Sequence, residues 1–199
     1  MRSVVVGASG TVGQTVVEAL SGKHEIVRVG AHSGDFQMDI ADPASIKSTL
    51  AAIGGFDAMA VAAGGVAFAG FTEMSDEQWQ FSLASKLMGQ INLVREGLNH
   101  ISDGGSFTLI TGMLSHDPIP WSAAATTVNG AIEAFAIGAA VALPRGIRIN
   151  AVSPGVLEAS AEKYADFFPG FPPVSGHRVG QAYRKSIEGA QTGQVYRVE

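Results

Sequence analysis

Apolar residues along this chain follow two periods that take turns. Val4–Val6 is a short unbroken apolar run, and directly behind it Val12, Val16 and Leu20 recur at helical spacing. Further strand-like runs stand at Glu25–Val29, Phe36–Ile40, Ala58–Ala62, Ser106–Thr111, Arg148–Ser153 and Gly193–Val198. Helical segments with readable ends lie between them. Asp42 and Pro43 supply an N-cap and a first-turn proline for a helix that stops at Gly54-Gly55. Ser75 with Gln78 forms a capping box for a helix running to about Asn99, with Leu83, Leu87, Val94 and Leu98 along one side. A helix from about Ser122 to Leu143 is small-sided all round and is halted by Pro144, and Ser175 caps a last helix through Glu188. Strand and helix alternate to the end, which predicts an α/β protein whose parallel sheet is covered on both faces. The uninterrupted Ala58–Ala62 run suits the centre of such a sheet.

The stretch 156–175 is the least regular. Tyr164, Phe167, Phe168 and Phe171 would anchor a short helix and loop there, a candidate lid over a substrate. No repeat or linker divides the chain, so 1–199 reads as a single domain.

Composition narrows the partners. Hydrophobic residues make up 46% of the 199 positions and charged ones only 16%, so most elements must be buried. The net charge is −5 and the longest basic cluster is Arg184-Lys185, which argues against nucleic acid. There is no cysteine, which excludes disulfide scaffolds, thiol nucleophiles and thiolate metal sites, and no metal is expected. Ala58–Phe71 is too short and glycine-rich to span a bilayer. Ala123–Leu143 carries Asn129 and Glu133 and suits a buried helix better. The chain enters its core at Val4, so no signal segment and a soluble cytoplasmic protein are expected.

The candidate chemistry begins at the first turn. Gly7, Gly10 and Gly13 form G-x-x-G-x-x-G between the first strand and the first helix. Glycines there let the backbone approach a pyrophosphate, and the helix start offers free N–H groups and a positive dipole end. The spacing is a variant of the dinucleotide fingerprint.

Five features in the right order give a resemblance to the short-chain dehydrogenase/reductase family over essentially the whole chain. They are the Gly7–Gly13 turn, Asp39-Ile40 ending the third strand, Ala62-Ala63-Gly64 ending the fourth, Asn129–Phe135, and Arg148–Gly155. The resemblance implies a Rossmann-type, doubly wound, seven-stranded parallel sheet in the order 3-2-1-4-5-6-7, with cofactor at the carboxyl ends of the strands. It implies that Gly7, Ser9, Gly10, Thr11 and Val12 lie under the pyrophosphate and that Asp39 accepts from the adenine amino group beside Ile40. Ala63 and Gly64 would line the ribose, with Pro154, Gly155, Val156 and Leu157 near the nicotinamide. The family usually has Asn at Ala62. At the end of the second strand no acid stands ready for a ribose 2′-hydroxyl, Asp35 comes too late, and His32 and Ser33 could bind a phosphate, although no arginine is in evidence. This favours NADP(H) over NAD(H).

The same resemblance exposes what is missing. The family's proton donor is a tyrosine activated by a lysine four residues on, assisted by a serine and an asparagine. Their positions hold Ala125, Asn129, Gly112 and Lys86 respectively. The usual mechanism is excluded, as in a divergent, short branch of the family. Substitutes for the acid are Lys86, Thr111, Ser115 and His116. Two readings stay open: an NADP(H)-dependent oxidoreductase of unconventional mechanism, or a catalytically inactive dinucleotide sensor or scaffold. A third is a structural dimer that no longer binds cofactor. By analogy the chain forms a homodimer or homotetramer through the helices Asp76–Asn99 and Ser122–Leu143, and its small-molecule substrate is not legible.

Overall fold

The computed structural model describes Met1–Glu199 and contains one seven-stranded, all-parallel sheet in the order β3-β2-β1-β4-β5-β6-β7. The strands are β1 (Arg2–Val6), β2 (Glu25–Gly30), β3 (Phe36–Gln37), β4 (Phe56–Val61), β5 (Ile101–Ile110), β6 (Arg148–Pro154) and β7 (Val195–Val198). The expected order and class hold. On one face α1 (Thr11–Leu20) packs on α7 (Gly176–Glu188). On the other, α2 (Pro43–Ile53) meets α4 (Gly89–Gly97), and α5 (Ala123–Ala140) covers β6. Both faces of the sheet are therefore dry, and Val4–Val6, Ala58–Val61 and Leu109 are buried almost completely. No helix is long and apolar enough to cross a membrane.

The capping residues act as expected. Asp42 accepts from Ala44 N, Ser75 and Gln78 exchange both bonds of their box, and Ser175 accepts from Arg178 N. Three long-range bonds fix the layers to the sheet: the buried Tyr183 hydroxyl donates to Val61 O at 2.6 Å, and buried Gln90 satisfies both the N–H and the C=O of Ile110 at 2.9 Å.

Three elements depart from the expectation. β5 starts at Ile101, well before Ser106, because Arg145 holds the preceding stretch by donating to Leu98 O, Ile101 O and the Asp103 carboxylate, and the β4–β5 register slips beyond Phe56. β3 ends at Gln37 rather than at Ile40. Most consequential, the helix expected from Asp76 to Asn99 is not continuous. α3 (Asp76–Ser82) passes into a π-helical turn, Leu83–Met88, before α4 resumes. The wider turn shifts the helical phase. Leu93 and Val94 are fully buried while Leu83 and Leu87 are only half-buried, so the stripe read from the sequence is split in two.

Candidate active site

The π turn positions the site. Ser82 Oγ accepts from Ala67 N and donates to Gln78 O, while Ser85 Oγ accepts from Gly65 N, so the turn is tied to the loop that leaves β4. Gly64 in that loop has φ +139°, and a Cβ there would lie 3.0 Å from Lys86 Cα and Cγ. The stem of Lys86 thus lies against the backbone at the carboxyl end of β4.

Lys86 lines a cavity of about 490 Å³ at the carboxyl edge of the sheet. Of the residues expected at a cofactor, Thr11, Val12, Ala63, Gly64 and the segment Pro154–Leu157 line it, as does Thr111. Its wall is mostly apolar, with Val66, Leu114, Ile119, Phe167 and Phe168 among the lining side chains. Ala125 and Asn129, the positions that the resemblance matches to a tyrosine and a lysine, also line it. Lys86 is the only charged residue among those lining it, and it is half-buried. Burial alone pushes its ammonium down to about 8, with no charged or hydrogen-bonding neighbour to hold it up. Asn129 is the other anomaly. Its Nδ2 makes only a long bond to Gly112 O, 3.5 Å, and its buried Oδ1 has no partner. A buried acceptor without a donor is costly and rare.

The glycine turn is tightly built. Gly7 has φ +85°, and a Cβ there would sit 2.6 Å from Ala62 O; at Gly13 it would sit 2.0 Å from Gly7 O. Gly10 caps α1 without any side-chain hydrogen bond, and the first turn of α1 contains no acid. The N–H groups at that helix start are free for an anion.

A second hollow, about 410 Å³, opens beyond this turn between α1 and β2. Ser9 and Ser33 line it, bonded to each other at 3.1 Å, together with Arg28, Gln14 and one acid, Glu18. Arg28 corrects the expectation that no arginine is available. It precedes the strand end by two residues, on the same strand face as Ile26, and the alternation of β2 was the signal that could have found it. Asp35 does not reach the hollow's lining: its carboxylate accepts from Arg28 N at 2.8 Å.

Other candidates fall elsewhere. His32 lies outside the hollow, exposed, and Asp39 spends one carboxylate oxygen on Ala41 N. Ile40 packs against the core, its carbonyl close to Gly89. Ser115 and His116 do not line the cavity. Ser115 Oγ donates to Glu133 at 2.7 Å, and His116 Nε2 pairs with Glu199. Thr111 Oγ1 donates to Glu133 and Val152 O, so its hydroxyl is committed although the residue lines the wall. The loop after β5 curls into a short helical turn, Met113–Ser115, which sends Met113 and Leu114 inward and Ser115 outward. Of the four candidate acids only Lys86 presents an uncommitted group to the cavity.

The chain matches the family model described as enoyl-(acyl carrier protein) reductase over residues 5–187. The protein lin1944 from Listeria innocua is 47% identical, with each chain fully covered and a TM-score of 0.99. A small-chain dehydrogenase solved in complex with NADPH is 25% identical, covering 100% of this chain and 96% of that one, with a TM-score of 0.88. The dihydro-dihydroxybenzoate dehydrogenase of Escherichia coli K12 is 27% identical over 133 residues, 63% of this chain and 54% of that protein. The chain spans about half the length of the curated relatives it matches first. The fold agrees with these likenesses, and the chain belongs to the short-chain dehydrogenase/reductase family, an oxidoreductase family.

Proposed function

We propose that this chain binds NADP(H) and interconverts a carbonyl compound and its alcohol, with Lys86 as the proton donor. The observation carrying the reading is the unpaired Lys86 ammonium in an apolar cavity that opens onto the glycine turn. The residues fit a dinucleotide. The uncapped start of α1 at Thr11 and Val12 would take the pyrophosphate. When bound, the nicotinamide supplies or accepts a hydride. Lys86 holds a proton that it can release near neutral pH to an oxygen gaining electrons, doing from the π turn what Ala125 cannot. The NADPH-bound relative supports the phosphorylated cofactor, as does Arg28, which stands with Ser9 and Ser33 where a 2′-phosphate would lie.

Residues 156–175 form the proposed lid. α6 (Glu158–Tyr164) and the following turn place Phe167 edge-on to Trp121 at 5.8 Å, and Phe168 edge-on to Phe171 at 5.5 Å. This aromatic cover would exclude water from the cavity. A homodimer or homotetramer through the segments Asp76–Asn99 and Ser122–Leu143 is supported by the exposure of Phe81, Met88, Ile137 and Val141.

The test is a fluorescence titration with NADPH and NADH followed by turnover on a carbonyl panel. NADPH should bind more tightly, and Lys86→Met should keep binding and lose turnover. The alternative, a sensor or scaffold, draws on the joint absence of the family's four active-site groups. Tight binding without turnover, unaffected by Lys86→Met, would establish it in place of the enzyme. Binding of neither cofactor would remove both.

A further inference from the structure

The cavity's pattern of donors narrows the substrate. A neutral ketone entering it finds little to orient its oxygen on the sheet side. Gly112 and Ala125 have no side-chain donor, and the Thr111 hydroxyl is committed to Glu133 and Val152 O. The unpartnered Oδ1 of Asn129 is sealed from the cavity and is an acceptor, so it offers a carbonyl oxygen nothing. The hydroxyls of Thr11, Ser160 and Tyr164 also line the cavity, but the Lys86 ammonium, with three N–H donors, is its one cation, and no carboxylate is among the lining residues. A lone cation in an apolar wall is unfavourable by itself and is compensated by an anion brought in with the ligand.

We propose that the substrate carries its own negative charge beside the reacting carbonyl: an α-keto acid with an apolar side chain, its carbonyl and carboxylate oxygens both held by Lys86. The apolar part would lie against Val66, Leu114, Ile119 and Phe168. Adjacent oxygens of an α-keto acid suit a single ammonium, because two of its N–H groups can serve them at once, and charge-assisted bonds are about twice as strong as neutral ones. In the reduction the carbonyl carbon gains a hydride from the reduced nicotinamide, and its π pair becomes a lone pair on oxygen. That oxygen takes a proton from Lys86, which is recharged from water, and the product is an α-hydroxy acid. The inference rests on the proposed oxidoreductase reading for its chemistry but not for its binding.

Three matched probes separate the two: phenylpyruvate, phenylacetone, which lacks the carboxylate, and phenylpropanoate, which lacks the ketone. Affinity is measured by calorimetry on protein with and without NADPH, and turnover by NADPH consumption. Phenylpyruvate and phenylpropanoate should each bind about tenfold or more tightly than phenylacetone. Lys86→Met should erase that preference, weakening the two acids by about tenfold more than phenylacetone, and Lys86→Arg should retain it. Equal affinity for acid and ketone, or a preference that survives in Lys86→Met, overturns the inference. If the preference holds and depends on Lys86 but phenylpyruvate is never reduced, the anion site stands and the oxidoreductase reading falls.

Discussion

Replacing Lys86 with methionine takes a buried charge out of the cavity wall and keeps a side chain of similar length. In the folded protein burial holds this ammonium to about 8, against an ordinary value of 10.5 in the unfolded chain. The folded value is the lower one. Between pH 8 and 10.5 the unfolded chain therefore holds a proton that the folded protein has shed, and stability rises with pH across that window. Below pH 8 both states are protonated and the folded state bears the full cost of the buried charge. At about 1.4 kcal/mol per pH unit, the interval corresponds to roughly 3 kcal/mol. Lys86 is only half-buried and water screens it, so about 1–2 kcal/mol is the expected cost. Lys86→Met should thus be more stable than the parent by that amount at pH 7, raising Tm by roughly 2–8 °C for a chain of this size. By pH 10 about three-quarters of the advantage should be gone. Urea unfolding at both pH values reads this directly. A variant no more stable than the parent at pH 7, or a difference that stays constant up to pH 10, would refute the reasoning. A gain in stability alongside a loss of turnover would mark Lys86 as kept for function at the expense of stability.

Three further outcomes are expected. Arg28→Ala should weaken NADPH binding by about tenfold or more and leave NADH unchanged; an equal loss for both cofactors would remove Arg28 from phosphate recognition. Gly7→Ala combines a positive φ with a Cβ 2.6 Å from Ala62 O, so about 2–5 kcal/mol should be lost and thermal melts should show it together with silent cofactor titrations. Tyr183→Phe removes the 2.6 Å bond to Val61 O and leaves a buried acceptor, which should lower stability by about 1–3 kcal/mol while cofactor affinity is unchanged; an affinity change would show that α7 also shapes the site.

Much of the fold was legible because its determinants are local. The glycines of the first turn, the caps at Asp42, Ser75 and Ser175 and the apolar runs of the central strands each act on neighbours a few residues away. Their alternation leaves few ways to bury both faces of a parallel sheet. Thr11, Val12, Ala63, Gly64 and Pro154–Leu157, named from the family resemblance, line one cavity because they stand at the start of α1 and at the carboxyl ends of β4 and β6. The placement of Ser115 and His116 was not legible, because a single short helical turn after β5 decides which of Met113–His116 point inward.

By itself the sequence determined a dinucleotide-type sheet, and it determined what the site cannot do: Ala125 donates no proton and Gly112 no side-chain hydrogen bond. Only the tertiary structure decided which charged and polar side chains meet at the carboxyl edge of the sheet. The π turn at Leu83–Met88 is held by Ser82 and Ser85 bonding to a loop 15 and 20 residues away. It brings Lys86 against Gly64 and into the lining of the same cavity as Thr111 and Asn129. Arg28 likewise becomes a neighbour of Ser9 and Ser33 only when β2 and the turn after it fold against α1. Charge and hydrogen-bond capacity are written in single residues. Whether they meet a partner depends on contacts between distant segments, which period and propensity do not carry.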